Sequence, residues 1–180
     1  MSASGAVSSN GGDSTPRRNW EHDFMRHALL HRTAKIVDLF IDAYKQKRKR
    51  RTFPHKEISN IIAYLFPGSS WGGRGAFKSV HRVYSRGRTL AFKTSNPRNI
   101  RSDVRVYRRI PDTIRNRYFA KVYWHTKYCL LQKYGREANV PAGKMLRLKK
   151  IGREYGLKDI RPANVRKVDG RFKIVDASPA

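Results

Sequence analysis

Three side chains in the last quarter of the 180-residue chain are of the types, and at the spacing, that grip a divalent cation. Asp159 and Asn164 lie five positions apart in Leu157-Lys158-Asp159-Ile160-Arg161-Pro162-Ala163-Asn164. Asp176 follows Asn164 twelve residues later, at the end of Phe172-Lys173-Ile174-Val175-Asp176. Oxygen donors in this pattern suit magnesium, a hard cation that brings the phosphates of a triphosphate with it. Carboxylates are scarce, 13 Asp plus Glu against 40 Lys plus Arg, so a row of them points to a cation as the partner.

Two further stretches bear on phosphate. In Trp71-Gly72-Gly73-Arg74-Gly75-Ala76-Phe77-Lys78-Ser79-Val80 the glycines would let backbone amides close over phosphates with no Cβ in the way. In Leu90-Ala91-Phe92-Lys93 a lysine sits within an apolar strand, about eighteen residues after those glycines. Such a lysine either snorkels to water or reaches a buried anion.

The elements that must position these groups are legible from period and punctuation. Residues 1–18, rich in Ser, Gly and Ala, bury too little to offset chain entropy and are expected to be a disordered tail. Asn19 would cap a helix over 20–46, whose apolar stripe runs through Leu29, Leu30, Thr33, Ile36, Val37, Phe40, Ile41 and Tyr44. A shorter helix is expected over 55–66, stopped by Pro67-Gly68. From Trp71 the period turns strand-like, with strands over 77–84, 89–94, 117–125 and 127–133 and one helix over 100–110. A basic helix over 142–155 is capped by Gly156. Asp169-Gly170 then turns a hairpin between 165–168 and 172–175. The fold class expected is α+β.

In order, these are a Gly loop between strands, a strand lysine, a helix, two strands, a helix, Asp-x-x-x-x-Asn, a hairpin and a final Asp. That order resembles the protein-kinase-like superfamily, including small members such as the RIO and lipopolysaccharide-kinase-like groups. Gly73 to Val80 resembles the G-x-G-x-x-G-x-V loop, with Lys78 in place of the third glycine; Leu90-Ala91-Phe92-Lys93 resembles V-A-I-K. Leu157 to Asn164 is similar to H-R-D-L-x-x-x-N with its first two positions changed, and Asp176-Ala177-Ser178 stands where D-F-G would stand.

The resemblance, which covers about Trp71 to Ala180, implies an antiparallel N-terminal lobe with one helix over a strongly shortened C-terminal lobe, within residues 68–180; the two basic helices read from periodicity precede it, within 19–67. It implies Mg-ATP as cofactor. Gly73, Gly75 and Val80 would cover the nucleotide, Lys93 would neutralise its α and β phosphates, and Gln132 and Lys133 would lie in a hinge, Leu131 to Gly135, that pairs with adenine. Asn164 and Asp176 would ligate magnesium, and Asp159 would take the proton of, or orient, the attacking hydroxyl.

The sequence also departs from that pattern. The lysine's usual partner is a glutamate on the intervening helix, but the only acids between Lys93 and Lys121 are Asp103 and Asp112. Asp103 is the candidate partner, its alternative role being an exposed pair with Arg105 or Arg101. Only about 24 residues separate the hinge from Asp159, room for one helix, and four residues follow Asp176. The expectation is either a fragment or a minimal kinase whose substrate-docking surface comes from elsewhere, with the N-terminal helices bracing the shortened lobe.

Charge bounds the partners. A net charge of +27 far exceeds what solubility needs and predicts attraction to a polyanion: nucleic acid, a nucleoprotein particle such as a ribosome, an acidic protein or an anionic membrane. The run Lys45-Gln46-Lys47-Arg48-Lys49-Arg50-Arg51 suits docking on phosphates or nuclear import, or is a solvated helix end. Arg105 to Arg109 and Arg115 to Trp124 interleave basic and aromatic residues, as single-stranded nucleic-acid platforms do, while the same alternation fits strands with one apolar face. The lone Cys129 excludes an internal disulfide and reads as a core thiol. His27 and His31, at i and i+4, lack the Glu and third ligand of a zinc helix. With no apolar run near the roughly 18 residues of a membrane span, an intracellular, cytoplasmic protein is expected, with nuclear or nucleoid association open to it.

The functional expectation is an Mg-ATP phosphotransferase acting on Ser or Thr hydroxyls of a protein. The alternative is an inactive kinase-like scaffold serving as an adaptor on nucleic acid or nucleoprotein. A third possibility is a plain nucleic-acid-binding protein.

Overall fold

The computed structural model describes residues 27–48, 53–75, 78–157 and 160–176, and its architecture is α+β. Helices α1 (Ala28–Arg48) and α2 (His55–Leu65) precede three strands, β1 (Ser70–Gly75), β2 (Lys78–Ser85) and β3 (Arg88–Ser95). Helices α3 (Pro97–Arg109) and α4 (Asp112–Tyr118) lead to β4 (Val122–His125) and β5 (Cys129–Lys133). Helix α5 (Ala142–Glu154), a 3-10 turn (Pro162–Asn164) and a hairpin of β6 (Val165–Val168) and β7 (Arg171–Ile174) complete it. The first five strands form one antiparallel sheet in the order β1-β2-β3-β5-β4.

Strand alternation divides this sheet into two faces. Leu90 and Phe92 of β3, with Cys129 and Leu131 of β5, join Leu30, Val37 and Ile41 of α1 and Ile58 and Ile62 of α2 in one buried cluster. Leu130, one position out of phase, belongs to a second cluster with Ile100 and Val104 of α3, Leu148 and Ile151 of α5, and Ile174 of β7. The two N-terminal helices therefore share a core with the sheet. Leu29 and Ile36, counted into the apolar stripe of the first helix, face outward.

Asp38 fixes where α1 docks. Its carboxylate accepts from Thr126 Oγ1 at 3.0 Å and from the backbone amides of Lys127 and Tyr128 at 3.1 and 2.9 Å, capping the β4–β5 turn. One turn further along, Asp42 takes Lys127 Nζ at 2.8 Å and the Tyr128 hydroxyl at 2.7 Å. Cys129 is buried and burial pushes its thiol well above the usual range, as befits a core residue. His27 and His31 stand edge-on to Tyr123 and Trp124, ring centroids 5.1 and 5.2 Å apart, so the i, i+4 histidines pack on aromatics.

Several expectations change. The strand expected over 117–125 begins only at Val122, because Asp112–Tyr118 is helical. Pro111 opens that helix, its carbonyl taking the Arg115 amide at 2.8 Å, and Arg115 pairs with Asp112 at i, i+3. The glycine segment is itself strand β1, bulged between Trp71 and Gly73, where Gly73 adopts φ +119°. Helix α3 starts three residues early because the Asn96 side chain caps it, accepting from the Asn99 amide at 2.8 Å. The final hairpin turns as expected, both Asp169 (φ 48°) and Gly170 (φ 75°) lying in the left-handed region. The tail over 1–18, Asn19, the first turns of the helix expected from 20, and Lys49 to Arg51 of the basic run lie outside the described residues.

Candidate active site

The face of β3 turned from the N-terminal helices carries Ala91 and Lys93. Lys93 lies in register between Val80 of β2 and Leu130 of β5, and is buried. Burial lowers its ammonium to about pKa 8, even though Asp176 and Asp103 pull in the opposite direction. The ammonium donates to the carbonyl of Val175, the residue before Asp176.

Backbone pairing brings the late residues to this lysine. Ala120 donates to the Ile174 carbonyl at 2.9 Å, joining the end of β7 to the segment before β4. Val175 donates to the Asn164 carbonyl at 2.9 Å, so the 3-10 turn and the end of β7 are tied side by side. Pro162 supplies the start of that turn. Lys93, Asn164 and Asp176 thus line one cleft of about 470 Å³, together with Val80, Gln132 and Lys133.

The back of the cleft is the segment after β5. Arg136 exchanges two backbone hydrogen bonds with Lys167 of β6, at 3.0 and 2.9 Å, which lays Gly135 against the hairpin. A Cβ on Gly135 would come within 2.5 Å of Arg166 Cβ and 2.7 Å of Val168 Cγ2, so only glycine fits that approach. Gln132 is buried; its amide donates to the Ala120 carbonyl at 3.3 Å, and its Oε1 has no partner among the described residues. Arg136 and Arg166 add cations to the lining.

Lys78, at the position of the missing third glycine, enters the same cleft. Its Nζ contacts both oxygens of Asp176, at 2.8 and 2.9 Å, and Asp103 at 3.5 Å. Burial opposes its charge, but Asp103 and Asp176 outweigh that and hold the ammonium above the usual lysine range. Asp103, expected to face Lys93, therefore meets Lys78, and Lys93 bonds the Val175 carbonyl instead. The reason is reach: Lys78 stands at the open end of β2 beside Asp103, whereas Lys93 is enclosed among strands.

Of the residues singled out by sequence, Val80, Lys93, Gln132, Lys133, Asn164 and Asp176 meet in the cleft. Gly73 and Gly75 lie in β1, paired with Val80 and Lys78, and it is Gly72 that lines the cleft. Asp159 lies outside the described residues. Sequence reasoning passed over Lys78, Arg136 and Arg166 as site residues. The signal for Lys78 was its substitution for a glycine; the two arginines carried none among 40 basic residues.

The donor set suits a phosphate-bearing ligand. One carboxylate and one carboxamide are a normal protein share for magnesium, which takes its other ligands from phosphates and water. The lysines and arginines around them match phosphate charge. Among the described residues no three His, Cys, Asp or Glu side chains converge as a metal cage, and no described helix is long and apolar enough to cross a membrane. Compared with known proteins, the chain matches no family model and no curated protein sequence.

Proposed function

We propose that this protein binds Mg-ATP in the cleft around Lys93 and transfers its terminal phosphoryl group to a hydroxyl, a protein Ser or Thr being the acceptor class. The observation that carries this reading is the meeting of Lys93, Asn164 and Asp176 with the segment from Gln132 to Gly135 in one cleft. These residues come from three separate parts of the chain, in the order that prompted the kinase-like resemblance. The five-stranded antiparallel sheet, with α3 following β3 and packing beside it, supports the same reading.

In this scheme Lys93 neutralises phosphate charge from within the sheet. The backbone of Lys133 to Gly135, beside Gln132, receives the base. Asn164 and Asp176 hold magnesium, which shields and orients the phosphates. Asp159 accepts the proton of the attacking hydroxyl. Lys78 must release Asp176 for the metal to enter, because its ammonium occupies both carboxylate oxygens.

That last contact also favours a second reading, in which Lys78 permanently replaces the metal and the fold serves as a basic scaffold. Single-turnover phosphoryl transfer from labelled ATP to a mixed Ser/Thr peptide library decides between them. Transfer abolished by Asp159→Ala, with nucleotide affinity retained, is the expected result. Absence of transfer by the unaltered chain at saturating Mg-ATP leaves the scaffold.

A further inference from the structure

Between α4, α5 and the β6–β7 hairpin lies a groove of about 730 Å³, larger than the cleft. Its charged lining is Arg117, Lys144, Arg147 and Arg171, with no carboxylate. Among the described residues none of these four takes part in an ion pair. Two half-buried rings, Tyr118 and Phe172, share the lining. The guanidinium carbons of Arg117 and Arg147 lie 5.4 and 5.5 Å from the Tyr118 ring centroid.

The segment from Arg115 to Trp124, read as either a core strand or an aromatic-basic platform, is divided between the two. Phe119, Val122, Tyr123 and Trp124 are core. Arg117 and Tyr118 stay at the groove because Asp112–Tyr118 is helical and turns them away from the sheet register.

We propose that this groove binds single-stranded nucleic acid, its four cations on the phosphates and Tyr118 and Phe172 against unstacked bases. Cations without counter-ions attract a polyanion, and half-buried rings beside them, which also pack against the core, favour one that carries planar groups. A duplex keeps its bases stacked on one another and offers no face to the rings. An acidic polypeptide matches the charge but has nothing regular to lay on them. A second basic hollow, lined by Arg101, Arg105, Arg108 and Arg109 of α3, has the charge without a Tyr, Phe or Trp and provides an internal control. This proposal does not depend on the nucleotide reading of the cleft.

The test uses the full chain and fluorescein-labelled twelve-residue oligouridylate, oligothymidylate, a duplex of the same length, and polyglutamate. Anisotropy is followed as a function of salt. The single strands are expected to bind more tightly than the duplex or polyglutamate, with the ratio of RNA to DNA affinity identifying the natural strand. Lys144→Glu with Arg147→Glu should weaken single-strand binding more than tenfold and reduce the slope of log affinity against log salt by about 1.4, two phosphates' worth. Arg101→Glu with Arg105→Glu, an equal change of charge, should do much less. Tyr118→Leu should cost about tenfold on single strands and leave polyglutamate unchanged, with its thermal midpoint checked against wild type. Asp176→Asn should leave all of this intact. Equal losses from the two charge-reversal pairs, or polyglutamate binding as tightly as the oligonucleotides, would overturn the proposal.

Discussion

Burial takes the Lys93 ammonium out of water while Asp176 and Asp103 pull it back toward the charged form, and burial wins. With a folded pKa of about 8 against an ordinary 10.5, the unfolded chain carries one more proton at this site between those values. Its contribution to stability therefore rises with pH across that window, and the penalty is fully present below pH 8. Phosphate in the cleft favours the protonated form, so nucleotide binding at pH 8.5 should take up part of a proton. Calorimetry in buffers of different ionisation enthalpy measures that uptake, which should vanish well below pH 8, where Lys93 is protonated with or without nucleotide. Lys78 makes the opposite prediction. Lys78→Met takes the ammonium off both Asp176 oxygens, and magnesium affinity in the presence of ATP should rise about tenfold, roughly one released charge pair. Unchanged magnesium affinity in that variant would mean Asp176 is not a metal ligand.

The arrangement of elements explains why those side chains stay in place. The sheet is covered on one face by α1 and α2, and Leu90, Phe92 and Leu131 would meet water without them. Deleting residues 1–52 should leave an aggregating chain, with cooperative unfolding by circular dichroism lost. Asp38→Ala should cost about 2–4 kcal/mol in denaturant titrations, since the Tyr128 amide and Thr126 hydroxyl would be left buried without their acceptor. Gly135→Ala should lower nucleotide affinity together with stability, because its Cβ would force Arg136 off the hairpin. Most of these elements were legible in sequence. The Leu30–Ile41 stripe, the Asp-Gly turn and the stop at Pro67-Gly68 are local signals with local causes. The strand expected over 117–125 was not legible correctly, because Arg-Tyr-Phe alternation masked a short helix that depends on Pro111 and on Tyr107 packing under Arg115. Asp38 gave no signal either, since its partners lie about ninety residues away.

Taken whole, the molecule gathers nine of its 40 basic residues into two hollows. A few line the cleft with Asp176 among them, and others line a groove that has no acid at all. The sequence made the cleft visible because lysine in an apolar strand and Asp-x-x-x-x-Asn are rare in so basic a chain. The groove was hidden by the same composition, as no arginine stands out among so many until the fold gathers three of them beside Lys144. Raising salt should weaken binding at the groove steeply and binding in the partly enclosed cleft much less, because screening acts most strongly on exposed charge. Isothermal titration of the purified chain with ATP, with and without magnesium and at moderate salt, is the most direct test. Saturable one-to-one binding that requires magnesium and is lost in Lys93→Met and Asp176→Asn is the expected result. Binding no stronger with magnesium than without, or unchanged in both variants, would contradict a nucleotide site at Lys93.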